Sequence, residues 1–254
     1  MESIVKKPNL YDLLYQDVME DISMYIKLLK GCQNILEFGA GTGRITIPLA
    51  ENGYNVDAVD IEPDMLEVLS DKIVKDANLN KKIKVILGNM CGYESGKQYD
   101  AVIIPLTSFN YLLTEEEQLD CLKSVKNNLK DNGYAIIELL SKNTYKDVSS
   151  DDKYCYVKNI NLGKDQYYKY YRKTNLNMAE RKITQDRLFK LYDGEQFISE
   201  EQFVWNNRFV TIEDFKKVAE RAGLYVENIY GNCDLEVYNE RSEDVFIVVK
   251  KFMC

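Results

Sequence analysis

The chain has 254 residues, 45% of them apolar and 29% charged, which suits one sizeable folded domain. Its 41 acidic and 33 basic side chains leave a formal charge of −8, which disfavours nucleic acid or an anionic membrane as the main partner. Histidine is absent, which excludes a His general base, a His triad and every His-containing metal site.

The six cysteines form no CxxC pair, and no metal site is expected. The opening MESIVKKPNLYDLL lacks the apolar core of a signal peptide. No apolar run approaches the roughly 18 residues that a membrane helix needs. The expectation is a cytoplasmic protein with free thiols.

Apolar side chains recur at helical spacing from about Asp12 to Leu29 (Leu14, Val18, Ile22, Ile26, Leu29), and Gly31 fits the C-cap. Asn34–Phe38 reads as a strand that runs straight into Gly39, followed by a helix that stops at Gly53. Pro48 falls inside that helix, which is tolerable near its start. Tyr54–Asp60 is a second strand, and Pro63 opens the next helix, whose apolar face is Met65, Leu66 and Leu69. Ile83–Leu87 and Tyr99–Pro105 are the third and fourth strands. Thr114 and Glu117 form a capping box at the start of a helix that runs to about Asn132–Gly133, and Tyr134–Leu140 is a fifth strand. This alternation predicts a parallel sheet covered by helices on both faces.

The pattern then changes. From Lys153 to Phe209 the sequence is rich in Tyr, Lys, Asn and Gln and alternates with the period of a strand. Asn175-Leu176-Asn177 and Asp193-Gly194 read as turns, which predicts three or four antiparallel strands. A helix from Thr211 to Gly223 and strands at Leu224–Tyr230 and Val245–Lys250 finish the chain.

The sharpest feature is Glu37-Phe38-Gly39-Ala40-Gly41-Thr42-Gly43-Arg44, three glycines between a strand and a helix. Glycine lets the backbone turn tightly and approach a ligand, and the helix behind it presents open N–H groups. The spacing is neither G-x-G-x-x-G nor a nucleotide P-loop. Asp60 ends the second strand, where a carboxylate accepts hydrogen bonds from ribose hydroxyls. Asn89-Met90 and Pro105-Leu106 follow the third and fourth strands, again at carboxyl ends, where such sheets bind ligands.

Five segments in this order resemble the class I S-adenosylmethionine-dependent methyltransferases: Glu37–Gly43, Val59–Asp64, Gly88–Met90, Asp100–Thr107 and Leu129–Glu138. The resemblance implies an α/β, Rossmann-like fold: a doubly wound, mainly parallel seven-stranded sheet, with an antiparallel β insert after strand 5 capping the substrate site. It implies one domain over 1–254, with a helical lid at 1–30, a cofactor-binding core at 31–150, the insert at 151–209 and the last helix and strands at 210–254. S-adenosyl-L-methionine is the expected methyl donor. By position, Glu37, Gly39, Ala40 and Gly41 would approach its methionine part and Asp60 its ribose. Ile61, Met65, Asn89 and Met90 would meet its adenine, with Pro105 and Leu106 beside the bound molecule. Many members carry Asp where this chain has Asn89.

The segment after the fourth strand is Pro105-Leu106-Thr107-Ser108-Phe109-Asn110-Tyr111 and lacks [DN]-P-P-[YFW], which counts against methylation of nucleic-acid bases. The helix before the first strand and the insert resemble the caps of small-molecule enzymes such as the glycine, sarcosine and amino-sugar N-methyltransferases. A small amine is the expected acceptor, with Tyr111 orienting it. An O-methyltransferase and a non-catalytic cofactor-binding protein are the alternatives, and an ordinary packing role for Tyr111 stands beside the catalytic one. Tyr11 and Tyr15 would fold over the cofactor's carboxylate, and Arg44 either pairs with that carboxylate or is solvated. The tyrosines of the insert either roof a cationic or ring-shaped substrate or simply favour strands. The expected assembly is a monomer or homodimer.

Overall fold

Short runs of β-branched and aromatic residues, each ended by a loop that cannot continue them, make the strands. In the computed structural model, which describes residues 7–141, 143 and 153–252, the first five are β1 (Asn34–Phe38), β2 (Asn55–Asp60), β3 (Ile83–Leu87), β4 (Tyr99–Ile104) and β5 (Leu129–Leu139). The insert supplies β6 (Cys155–Gly163), β7 (Gln166–Asn177), β8 (Lys182–Asp193) and β9 (Gln196–Arg208). The chain ends with β10 (Leu224–Tyr230) and β11 (Val245–Lys251).

Seven strands form one sheet in the order β10-β11-β5-β4-β1-β2-β3. Neighbours from β5 to β3 are parallel, and β11 alone runs antiparallel between β5 and β10. This is the expected doubly wound, mainly parallel sheet. One face packs on α6 (Glu115–Asn128) and α7 (Ile212–Ala222), through Cys121, Leu122, Val125, Phe215 and Val218. The other packs on α2 (Glu20–Leu28) and α3 (Thr46–Glu51), through Met24, Tyr25 and Leu49. Helices α4 (Pro63–Ile73) and α5 (Ala77–Lys82) close a smaller core beside β2 and β3, where Leu66, Leu69 and Leu79 are buried.

Several boundaries differ from the sequence reading. The single helix expected over Asp12–Leu29 is two, α1 (Pro8–Tyr15) and α2. The break has a packing cause: Leu10 and Leu14 bury against the insert, whereas Ile22, Met24 and Tyr25 bury against the sheet. Helix α6 stops at Asn128 instead of near Asn132, because Leu129 already pairs with Tyr99 and starts β5. A side chain at Gly133 would lie 3.0–3.1 Å from three carbonyl oxygens of β4 and β5, so the close approach of these backbones needs that glycine. No helix joins β3 to β4, so the alternation is incomplete there. Asn175–Asn177 belongs to β7, and the turn follows at residues 178–181.

The insert is a four-stranded antiparallel sheet in the order β6-β7-β8-β9. Its period-two pattern turns Tyr170, Ile183, Gln185, Arg187, Phe189, Phe203 and Trp205 inward, all buried. Ile160, Tyr170, Phe189, Phe203 and Trp205 form a core with Leu10 and Leu14 of α1, so lid and insert are packed on each other.

Candidate active site

The loop after β1 is built by glycine. Gly39, Gly41 and Gly43 all have left-handed backbones, with φ of 72, 56 and 88°. A Cβ on Gly39 would stand 2.6 Å from Ser108 Oγ, so strand end and post-β4 loop touch only because no side chain intervenes. The N–H groups of Gly39 and Ala40 both donate to the Val59 carbonyl at 2.9 and 3.1 Å, tying the loop to β2. Helix α3 begins only at Thr46, so Pro48 lies in its first turn, where its missing N–H costs nothing.

Asp60 holds the next turn. Its Oδ2 accepts from the Gly41 N–H at 2.7 Å and its Oδ1 from the Glu62 N–H at 2.9 Å. Two backbone donors leave further acceptor capacity on both oxygens. Burial pushes its carboxyl up, against the pull of these N–H groups.

A cavity of about 380 Å³ crosses the carboxyl ends of four neighbouring strands. It runs from Gly88, Asn89, Met90 and Cys91 after β3, past Asp60 and Ile61 after β2, to Gly39 and Gly41 after β1. Leu106, Ser108, Tyr111 and Leu112 line it after β4, Met65 comes from α4, Tyr11 from the lid and Trp205 from the insert. Ile61 is 60% exposed although apolar, a flat greasy surface beside the Asp60 carboxylate. Asn89 Oδ1 accepts from the Cys91 N–H at 2.9 Å, so this amide shapes its own turn and keeps one acceptor lone pair and its NH2 group for another molecule.

The lid is latched to the loop. Asp12 on α1 accepts from Thr42 Oγ1 with one oxygen and from Lys72 Nζ, 2.6 Å away, with the other. Lys72 also donates to the Thr42 carbonyl at 3.0 Å. Arg44 makes a second clamp: Nη1 and Nη2 reach the two carboxylate oxygens of Asp21 at 2.9 and 2.5 Å, and Nη1 also donates to the Val18 carbonyl. The guanidinium thus fastens α2 and the residue Val18 before it to the loop.

After β4 the chain passes through two left-handed residues, Leu106 and Thr107, with φ of 47 and 56°. Glu138, at the end of β5, accepts from the Leu106 N–H at 2.7 Å and holds that strained segment. A short 3-10 turn, Ser108–Tyr111, follows. Asn110 anchors it on both sides, donating to the Arg208 carbonyl at 2.8 Å and accepting from the Leu140 N–H at 3.1 Å. Tyr111 is thereby set against Trp205, ring centres 5.6 Å apart. Burial, with Tyr15 and Tyr11 adding to it, pushes the Tyr111 phenol well above its ordinary range, so it stays a neutral hydroxyl.

Of the residues singled out from the sequence, Tyr11, Gly39, Gly41, Asp60, Ile61, Met65, Asn89, Met90, Leu106 and Tyr111 meet around this one cavity. Tyr15, Glu37, Ala40, Arg44 and Pro105 stand outside its lining. Tyr15 lies behind Tyr11, rings 4.7 Å apart. Glu37 is buried under the loop, where it accepts from Thr46 Oγ1 at 2.6 Å, and burial pushes its carboxyl up to about 8. Ala40 is packed into the α4 core, and the Pro105 carbonyl accepts from the Ser108 N–H and Oγ. Asp12, Lys72, Ser108, Asn110 and Glu138 were not singled out as site residues; Trp205, for which the sequence left open closing the insert or lining its pocket, lines the cavity.

Residues 35–133 match the family described as methyltransferase domain. The chain carries a methyltransferase domain. The enzyme is similar to a putative methyltransferase, YqeM, of Bacillus subtilis (strain 168), 23% identical over 85% of this chain and 83% of the relative. Its fold matches that of an S-adenosylmethionine-dependent methyltransferase from Clostridium acetobutylicum ATCC 824, with TM-score 0.79, 19% identity and 96% of both chains covered. It also matches the sugar N-methyltransferase KedS8 from Streptoalloteichus sp ATCC 53650, with TM-score 0.73, 17% identity and 95% and 93% covered. Among the described residues of this methyltransferase, no group of acidic or cysteine side chains has the arrangement of a metal site, and no helix is long and apolar enough to cross a membrane.

Proposed function

We propose that this methyltransferase acts on a small molecule, and that the acceptor atom is an amine nitrogen. The observation that carries this reading is the make-up of the cavity wall, to which Tyr11 of α1, Tyr111 of the post-β4 turn and Trp205 of the insert contribute beside Gly39 and Gly41. A polymer would need an open groove there; a small acceptor needs a pocket.

The cavity fits the donor on three counts. Asp60 keeps acceptor capacity for two ribose hydroxyls, Ile61 and Met65 give apolar surface for a base, and Gly39 and Gly41 let backbone come close where a Cβ would intrude. Asn89 and Met90 would read the adenine edge. Tyr11 would cover the methionine end, with Tyr15 supporting it. Glu37 and Arg44 would act from beneath, by holding Thr46 and α2 and so the shape of the loop. When bound, the donor supplies a methyl carbon on a positively charged sulfur, a good leaving group.

The protein's share of the reaction is then placement. An acceptor lone pair has to stand about 3–3.5 Å from the methyl carbon, in line with the bond that breaks, with water kept out. Tyr111 is the group at hand for orienting it: a neutral hydroxyl that can accept from an amine N–H or donate to a hydroxyl. No histidine is available as base. An amine sheds its proton to water or a carboxylate, whereas an alcohol needs a stronger base than this cavity offers, and that favours nitrogen. The sugar N-methyltransferase KedS8, similar in fold, agrees with that choice. A small-molecule O-methyltransferase is the second reading.

The test is formation of S-adenosylhomocysteine when the full chain is given the donor with a panel of small amines and matched alcohols. Turnover of amines alone is expected, with kcat/KM falling about tenfold in Tyr111→Phe. Unchanged turnover in Tyr111→Phe refutes the orienting role, and turnover of alcohols alone refutes nitrogen. Donor binding without turnover of either panel would favour a non-catalytic binder.

A further inference from the structure

Arg187 is 8% exposed, on the inward face of β8. Its guanidinium carbon lies 3.5 Å from the centre of the Trp205 ring. Nη1 donates to Tyr15 Oη at 3.3 Å and Nη2 to Gln185 Oε1 at 2.7 Å, while the Nε–H has no partner. None of these neighbours is a carboxylate. A buried charge with no counter-ion is costly, and a ring face compensates only part of it. Trp205 has the same deficiency: it is 6% exposed, and its Nε1–H is unpartnered too.

Both unmet groups are donors, and they sit together. Trp205 lines the cavity, and Arg187 stacks on Trp205 from behind. Because Arg187 donates to the Tyr15 oxygen, the Tyr15 hydroxyl proton is left for another acceptor. A positive charge with three unused protons on indole, phenol and guanidinium is complementary to an anion, and its forked geometry suits a carboxylate. A cationic acceptor group is disfavoured here, because the Trp205 face that it would need already carries a guanidinium.

We propose that Trp205 on the insert wall of the cavity, with Arg187 and Tyr15 in the layer packed against it, forms a carboxylate receptor in which Arg187 supplies the charge and Trp205 and Tyr15 supply hydrogen-bond donors. The proposal rests on the reading of the cavity as the donor-and-acceptor site. The carboxylate belongs either to the methyl acceptor or to the amino-acid end of the donor.

Trp205 is the single tryptophan, so its fluorescence reports this wall directly. The full chain is titrated with S-adenosylhomocysteine and with 5′-methylthioadenosine, which lacks the amino-acid end. Acetate and acetamide are then added to the nucleoside-saturated protein at constant ionic strength. In Arg187→Met a loss of tenfold or more is expected for a carboxylate probe, with partial rescue in Arg187→Lys and no effect of acetamide. Loss confined to acetate assigns the carboxylate to the acceptor; loss for S-adenosylhomocysteine but not methylthioadenosine assigns it to the donor. Tm of Arg187→Met is expected to hold or rise, because an uncompensated charge is removed. Should that variant not fold, wild-type discrimination between acetate and acetamide, or between the two nucleosides, decides alone. Absence of both discriminations overturns the receptor while leaving the cavity reading intact. Failure of wild type to bind either nucleoside overturns the cavity reading instead.

Discussion

The glycine-loop region and the insert treat their charged groups in opposite ways. Around the loop the charged side chains meet protein partners: Glu37 with Thr46, Asp12 with Thr42 and Lys72, Arg44 with Asp21, and Asp60 with two backbone N–H groups. On the insert's inner face Arg187 Nε and Trp205 Nε1 meet none. Buried polar atoms are nearly always satisfied, so the orphaned donors of Arg187 and Trp205 mark the insert face as the side that a ligand would complete. The loop is a preformed mould, whereas the insert wall, on the reading proposed above, faces the methyl acceptor.

The contrast can be broken first at Asp60. This carboxylate lines the cavity and keeps acceptor capacity beyond its protein bonds, so Asp60→Ala has the largest expected effect. Losing two charge-assisted hydrogen bonds lowers S-adenosylhomocysteine affinity about 100-fold or more, read by calorimetry. Asp60→Asn keeps one acceptor oxygen and is expected to fall between. An unchanged affinity in Asp60→Ala would mean that the mould lies elsewhere.

A second break is Gly39→Ala. The left-handed backbone and the 2.6 Å approach to Ser108 both resist a Cβ. On the order of 2 kcal/mol is expected, lowering Tm by roughly 4–8 °C. Affinity should fall along with stability, because the Cβ separates the loop from the post-β4 segment. A stable, tightly binding Gly39→Ala would show that the two segments need not touch.

Acid–base behaviour sharpens the comparison further. Burial pushes Glu37 and Glu138 up to about 8 and raises Asp60 and Asp244 as well. No histidine competes in this range. Between pH 5 and 8 the folded protein holds protons that the unfolded chain has released, so stability falls as pH rises. The slope is of order 1 kcal/mol per pH unit for each carboxyl that stays neutral. Tm is therefore expected to drop steadily over that window, and Glu37→Gln, which keeps an acceptor for Thr46, should flatten the drop. A slope equal to that of wild type would mean that Glu37 is ionised in the folded state.

How far the sequence reached follows the same division. Gly39, Gly41, Asp60 and Asn89 are legible because each follows a strand, and chain order alone puts the strand ends in a row. Thr114, Thr211 and Gly223 cap helices as expected, because capping is a local interaction. The pairing of Arg44 with Asp21 was not legible, because Asp21 lies in an element whose position no local pattern fixes. The break between α1 and α2 was invisible, since one helical periodicity runs through both while their apolar faces seek different cores. Arg187 and Trp205 meet only through the β8–β9 register, and an unpaired buried arginine looks like any other arginine along a strand.

The latch at Asp12 joins the two regions, because α1 packs on the insert through Leu10 and Leu14 while Asp12 grips the loop. Its ion pair with Lys72 is partly exposed, with side-chain exposures of 31% and 37%, so it contributes little by itself. The bond to Thr42 is the stronger part, since that threonine is buried. Asp12→Ala leaves both cores intact but leaves the buried Thr42 hydroxyl without its acceptor, about 1 kcal/mol, so Tm should fall by only a few degrees. What should change is the residence time of S-adenosylhomocysteine, shortened about three- to tenfold in stopped-flow dissociation. Asp12→Asn keeps an acceptor for Thr42 and should recover most of the loss. The salt dependence separates the parts: wild type should lose only the Lys72 share as salt rises, and Asp12→Asn should be insensitive. If Asp12→Ala releases the ligand at the wild-type rate, the lid does not govern exit, and the two regions act independently.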